Sequence, residues 1–201
     1  MNYDTETLIA WLRCIQERLA QERAELDHLD AEIGDGDHGS NLSRGFAKVA
    51  EKLGGRVSES PGALLKEVAM TLISTVGGAS GPLYGTFFLE TAKAMGASAT
   101  FSAAELGRCL KSGVAGIQRL GKASAGDKTM LDALIPAVDV LASQGDVAAA
   151  AQSAQDGRAA TIPLQARKGR ASYLGVRSIG HADPGAASAA LLFACLVKVA
   201  R

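Results

Sequence analysis

Three aspartates crowd the stretch Leu29-Asp-Ala-Glu-Ile-Gly-Asp-Gly-Asp-His-Gly39, at positions Asp30, Asp35 and Asp37. Carboxylates brought together at close range force one another's pKa values up unless a cation neutralises them. Magnesium or calcium suits that task because both take oxygen ligands, and Gly34, Gly36 and Gly39 let the backbone turn sharply enough to converge the acids. A bare acidic turn or helix-capping loop is the alternative. Two competing readings of the stretch fail. Gly34-Asp-Gly-Asp-His-Gly39 fits the G-x-G-x-x-G dinucleotide pattern, but it follows helical periodicity instead of a strand, and its acids repel a pyrophosphate. An EF-hand loop starting at Asp35 needs a glutamate at its twelfth position, where this chain has Phe46.

Further along, Thr75-Val-Gly-Gly-Ala-Ser-Gly-Pro82 has small residues that leave backbone N–H groups open near a helix start, which suits a phosphate, with Ser80 as an added donor. A tight interhelical turn explains the same residues. Gly126-Asp-Lys-Thr-Met130 has a similar mixture, in which Asp127 or Thr129 reads most simply as a cap. Gln165-Ala-Arg-Lys-Gly-Arg-Ala-Ser-Tyr173 and Arg177-Ser-Ile-Gly-His-Ala-Asp-Pro-Gly185 concentrate charge that can offset phosphate in a transferring group, or form a solvated basic loop. Asp183-Pro-Gly185 is either a plain helix start or a place where backbone meets a base or ribose. No G-x-x-x-x-G-K-[ST] occurs, so a nucleotide site here is not a P-loop. His28, His38 and His181 lack metal-binding spacing.

The elements that position these residues are helical. Aromatic residues make up 4% of the chain while alanine and leucine abound, a balance that favours helices over sheets. Leu8, Leu12, Ile15, Leu19, Leu26 and Leu29 form one apolar stripe, which predicts a long first helix running into Asp30. Further helices are predicted at Leu42 to Leu53, after Ser60-Pro61, at about Leu83 to Met95, from the capping box Ser102-Ala-Ala-Glu105, at Leu131 to Leu141 with an adjustment at Pro136, at Val147 to Ala160, and after Pro184. About eight helices with short connections make an all-α antiparallel bundle or barrel the economical fold. The exception is the irregular stretch from Thr161 to Asp183.

Bulk properties narrow the setting. The 201 residues fit a single domain, 1–201. Lys+Arg and Asp+Glu each total 21, so no global field draws the chain to nucleic acid or an anionic membrane. Cys14, Cys109 and Cys195 lie far apart in apolar helical patterns and read as buried, reduced thiols. Without a signal-like apolar run or a membrane-length one, a cytoplasmic protein is expected.

With these segments in order, the chain resembles the DhaL family, the nucleotide-binding L subunits of bacterial dihydroxyacetone kinase, also found as the C-terminal domain of one-chain ATP-dependent dihydroxyacetone kinases. The likeness covers nearly the whole chain and rests on Glu32-Ile-Gly-Asp-Gly-Asp-His-Gly39, Gly77-Gly-Ala-Ser-Gly-Pro82, Gly126-Asp-Lys-Thr-Met130, Ala166-Arg-Lys-Gly-Arg-Ala-Ser172 and Gly180-His-Ala-Asp-Pro-Gly185. It implies an eight-helix antiparallel barrel with ADP or ATP at one end, held through two magnesium ions on Asp30, Asp35 and Asp37. It further implies nucleotide contacts from His38, Gly39, Ser40, Asn41, Ala79, Ser80, Gly121, Met130, Arg170, Asp183, Pro184 and Gly185, with Arg170 also in a catalytic, charge-neutralising role. In the phosphoenolpyruvate-dependent members a phosphohistidine M subunit recharges the bound ADP, and the phosphoryl group passes to dihydroxyacetone on a separate K subunit. Such a subunit acts only with its partners. The resemblance leaves open an ATP-using two-component kinase for dihydroxyacetone or a related short sugar, a nucleotide-sensing module that contacts a transcription activator, and a homodimer.

Overall fold

Most helices begin where a side chain is available to cap them, and two of the three without such a cap face the site. The computed structural model describes residues 2–54 and 60–200. Among them lie α1 (Thr5–Gln21), α2 (Arg23–Ile33), α3 (His38–Leu53), α4 (Pro61–Thr75), α5 (Ser80–Met95), α6 (Ala103–Gly121), α7 (Met130–Gln144), α8 (Val147–Ala160) and α9 (Pro184–Val199). The Asp4, Ser60, Asp146 and Asp183 side chains accept backbone N–H groups in the first turns of α1, α4, α8 and α9. Reciprocal capping boxes open α6, from Ser102 and Glu105, and α7, from Thr129 and Asp132. By contrast α3 and α5 start at Asp37 and Ala79 without a side-chain cap.

The mostly helical architecture agrees with the sequence reading, with some corrections. The predicted first helix is divided at Glu22, whose backbone (φ −95°, ψ 10°) leaves the helical region. The apolar stripe skips from Leu19 to Leu26, so no buried side chain between them holds a straight course. The Arg18 guanidinium pairs with the Glu22 carboxylate at this bend. A two-residue antiparallel pair, β1 (Asn2–Tyr3) with β2 (Phe101–Ser102), adds a little sheet that the sequence did not suggest. Pro136 sits within an unbroken α7. A proline there cannot bond the Asp132 carbonyl four residues back, and Gly157 of α8 packs against that same carbonyl. The expectation of three separate thiols is corrected at two positions. Cys14 of α1 and Cys195 of α9 form a disulfide with Cα atoms 5.6 Å apart, while Cys109 is free and buried. The pair is 181 residues apart in sequence, so only the packing of the first helix on the last brings it together.

In that packing α1 contacts α3, each helix from α3 to α8 contacts its successor, and α9 returns to α1, while α2 lies against α3 and α9. Trp11, Phe46, Phe87 and Phe88 fill the middle with tilted and edge-on ring contacts. The Trp11 indole N–H donates to the Leu192 carbonyl at 2.7 Å. Helix α9 is apolar nearly all round because it is covered nearly all round, with every residue from Ala186 to Phe193 buried. No helix among the described residues is long and apolar enough to cross a membrane. The alternation of directions brings the starts of α3, α5, α7 and α9 to one cleft, lined by His38, Ser80, Met130 and Pro184.

Candidate functional site

The acid side of the cleft is built almost entirely by local hydrogen bonds. Asp30, in the last turn of α2, accepts the backbone N–H of Asp37 at 3.0 Å and of His38 at 3.3 Å on Oδ2. The turn therefore folds back over its own carboxylate. Gly36 makes this possible with φ +77°, a left-handed conformation that suits glycine. One carboxylate oxygen from each of Asp30, Asp35 and Asp37 lies within 4.8 Å of the others, with Asp30 half-buried and the other two exposed. This all-oxygen set, open to water, is the donor chemistry that a hard divalent cation takes.

Opposite the acids, Gly77, Gly78 and Ala79 lead into the uncapped start of α5. Gly78 has φ +65°. Backbone N–H groups at a helix start that no side chain occupies favour a negatively charged oxygen. The cleft between them has a volume of about 910 Å³. An adjoining pocket of about 320 Å³ runs between α5, α6 and α7, lined by Pro82, Leu83, Ile117, Leu120, Gly121 and Met130. A polar cleft beside a mainly apolar slot matches the two halves of a nucleotide.

The floor carries buried polar groups. His38 shares hydrogen bonds through Nδ1 with Ser80 Oγ (3.2 Å) and through Nε2 with Ser188 Oγ (2.9 Å), and Ser188 is bonded in turn to Tyr84 Oη at 2.7 Å. Burial holds the His38 imidazole below its ordinary pKa, against the pull of Asp30, Asp27 and Asp37, and pushes the Tyr84 phenol up. Asp183 accepts the Ala186 N–H at 2.7 Å as the cap of α9, and burial pushes its carboxyl up to about 7.

The third wall is a basic arm, the segment between α8 and α9. Its centre, Arg170–Ser178, is a pair of 3₁₀ turns kinked at Gly175. Ile33 of α2 packs with Ala166, Ala171 and Leu174 of the arm. Arg170 Nη1 lies 3.0 Å from Asp35 Oδ2, and His181 Nδ1 lies 3.3 Å from Glu32 Oε2. The arm thus closes against the acid turn.

The DAK2 domain model matches residues 32–198 of this sequence. The chain belongs to the DAK2 domain family. This DAK2 chain is 43% identical over its full length, and over the full length of the relative, to the ADP-binding subunit DhaL of the PEP-dependent dihydroxyacetone kinase of Escherichia coli (strain K12). It is also 43% identical to the corresponding subunit of PEP-dependent dihydroxyacetone kinase 1 of Listeria innocua, over 98% of each chain. The crystal structure of the C. freundii dihydroxyacetone kinase in complex with AMP-PNP and Mg2+ superimposes with a TM-score of 0.81 at 27% identity, covering 98% of this chain. The DAK2 chain spans 34% of that longer kinase.

Against the sequence expectations, the DAK2 cleft brings together Asp30, Asp35, Asp37, His38, Asn41, Ala79, Ser80, Met130, Arg170, Asp183, Pro184 and Gly185. Gly121 lines the apolar slot. Gly39 and Ser40 stand apart from both. Gly39 sits against the Arg23 carbonyl, and Ser40 donates through N and Oγ to the Asp27 carboxylate at 2.8 and 2.6 Å, so both fasten α3 to α2. Thr129 caps α7, and Asp127 accepts the Ser124 N–H. Sequence reasoning assigned nothing to Lys128, Tyr84 or Ser188. Lys128 stood inside a quoted motif, and Ser188 is the lone polar residue in an apolar stretch of α9.

Proposed function

We propose that this chain is the ADP-binding phosphoryl-relay subunit of a phosphoenolpyruvate-dependent dihydroxyacetone kinase, working as a single domain, 1–201, in the cytoplasm. The observation that carries the reading is the convergence of three carboxylates beside an uncapped helix start and an apolar slot. Its support is the full-length similarity to subunits with that role. We read the closed cycle of contacts through α1 and α3–α9 as an eight-helix antiparallel barrel with the nucleotide at the end where α3, α5, α7 and α9 begin.

In this reading Asp30, Asp35 and Asp37 would hold two magnesium ions, whose charge, when bound, offsets that of the diphosphate while the nucleotide carries the transferable group. The chain's own residues do the rest. The Ser80 hydroxyl and the α5 N–H groups bind phosphate oxygen, and Leu83, Ile117, Leu120, Gly121 and Met130 enclose the base. Arg170 supplies positive charge where it builds up during transfer. No residue here acts as a covalent nucleophile; the phosphoryl group comes from a phosphohistidine on an M-type subunit and leaves to dihydroxyacetone on a K-type subunit. Contact with a transcription activator belongs to the same proposal as a secondary role.

Incubation with a phosphohistidine donor protein, a K-type subunit and dihydroxyacetone tests it. Dihydroxyacetone phosphate should form without added ATP. Turnover that runs on free ATP and ignores the phosphoprotein would make the chain part of an ATP-using short-sugar kinase. That alternative is motivated by the 35% identity to the L-erythrulose 1-kinase of Mycolicibacterium smegmatis, of which this chain spans 34%.

A further inference from the structure

Lys128 is only 1% exposed, yet it lies on the wall of a polar cleft. Its ammonium donates to three backbone carbonyls, those of Leu164 at 3.0 Å, Ser178 at 2.6 Å and His181 at 2.6 Å. An ammonium has three protons, so this set leaves none for a ligand. All three acceptors belong to the basic arm, one before its 3₁₀ turns, one at their end and one after them. The Lys128 backbone is left-handed, with φ +62°, a conformation unfavourable for a residue with a side chain. Around it the Asp127 carbonyl accepts the Arg167 N–H at 3.0 Å, the Ile162 carbonyl accepts the Gly180 N–H at 2.9 Å, and Ser178 Oγ accepts the Ala166 N–H at 2.9 Å. Strain held in place by a convergent set of bonds marks a position kept for what it fixes.

We propose that Lys128 is a positioning residue: it fastens the basic arm to the start of α7, and through the arm holds Arg170 against Asp35 at the mouth of the nucleotide cleft. This rests on the nucleotide reading above. Lys128 acts through Arg170 and touches no phosphate.

Two measurements on the full chain decide it. The first is hydrogen exchange in the ligand-free protein, comparing wild type with Lys128→Met, which keeps the aliphatic stem and loses the donors. Exchange at Arg167 and Gly180 should quicken about tenfold or more, the loss of at least one charge-assisted bond, while α4 and α5 keep their rates. Unchanged exchange in the arm overturns the tether, as does an acceleration spread evenly over α4 and α5, which would make Lys128 a residue of global stability. Ser178→Ala, which removes two neutral bonds within the arm, from the Ala166 N–H and to the Gly175 carbonyl, and no charge, should act in the same direction more weakly.

The second is a cycle of Mg–ADP affinities for wild type, Lys128→Met, Arg170→Ala and the double variant. If Lys128 works through Arg170, the double variant binds no worse than Arg170→Ala. Additive losses overturn the proposal and make Lys128 an independent contributor. A wild-type chain that fails to bind Mg–ADP overturns the nucleotide reading instead, and the exchange result then decides the tether alone.

Discussion

The two faces of the cleft are held in opposite ways. The acid turn is fixed from within, by Asp30 accepting N–H groups seven and eight residues away. The basic arm is fixed over long sequence separations, by Lys128 reaching carbonyls 36, 50 and 53 residues along the chain, and by Thr161 Oγ1 accepting the Asp183 N–H at 3.0 Å. A locally bonded turn keeps its shape with few long-range contacts, whereas an arm held at a handful of points can open without disturbing the helices. The acid face is thus suited to a permanent seat and the arm to a cover.

This difference can be broken from either side. The largest effect is expected from Asp35→Asn, which removes one of the three carboxylates proposed to hold the cations and the partner of Arg170. Mg–ADP affinity should fall by about 100-fold or more, read by calorimetry. Arg170→Ala comes next. It should weaken Mg–ADP by roughly tenfold, the scale of a charge-assisted contact, yet leave binding of Mn2+ alone undiminished, since the three acids remain. A loss of Mn2+ binding in that variant would mean that the arm shapes the acid turn, and the two faces are not separate.

A smaller effect tests the buried carboxyl between them. The folded chain keeps the Asp183 proton up to about pH 7, pushed up by burial, with Asp132 and Asp30 adding to the shift and the Ala186 N–H and Lys128 opposing it. The unfolded chain releases it near the ordinary value of 3.8. Between those values the folded state binds more protons, so this group's contribution to stability falls as pH rises through the window and is level outside it. Asp183→Asn, which can still cap α9, should remove that fall. Its melting temperature should rise relative to wild type by roughly ten degrees from pH 4 to pH 7, at about 1.4 kcal/mol per pH unit and about 2–4 °C per kcal/mol. Parallel curves would show that Asp183 is ionised in the folded chain. The least effect on the site is expected from Trp11→Phe in the core, which removes the indole N–H bond to the Leu192 carbonyl. Stability should drop by about 1–3 kcal/mol in denaturant unfolding, with Mg–ADP affinity unchanged.

The same local and distant contrast explains what could be read from the sequence. Asp30, Asp35 and Asp37 are legible because the bonds that gather them lie within one short stretch, and the caps at Ser60, Ser102 and Asp183 are legible because a cap is a short-range device. The divided first helix was hidden because its apolar steps suit a straight helix as well as a bent one. The Cys14–Cys195 pair, the Lys128 clamp and the His38–Ser188–Tyr84 chain join residues far apart, and no spacing rule reaches across such distances. Gly39 and Ser40 directly follow His38, but adjacent residues on a helix point in different directions, and these two face α2.

The central claim is that the acid turn is a seat for a resident nucleotide. It is tested most directly by denaturing freshly purified full-length protein and identifying the released nucleotide by mass, with magnesium present throughout. Stoichiometric ADP that survives gel filtration is the expected result. Protein that carries no nucleotide and takes up none when offered Mg–ADP would contradict it.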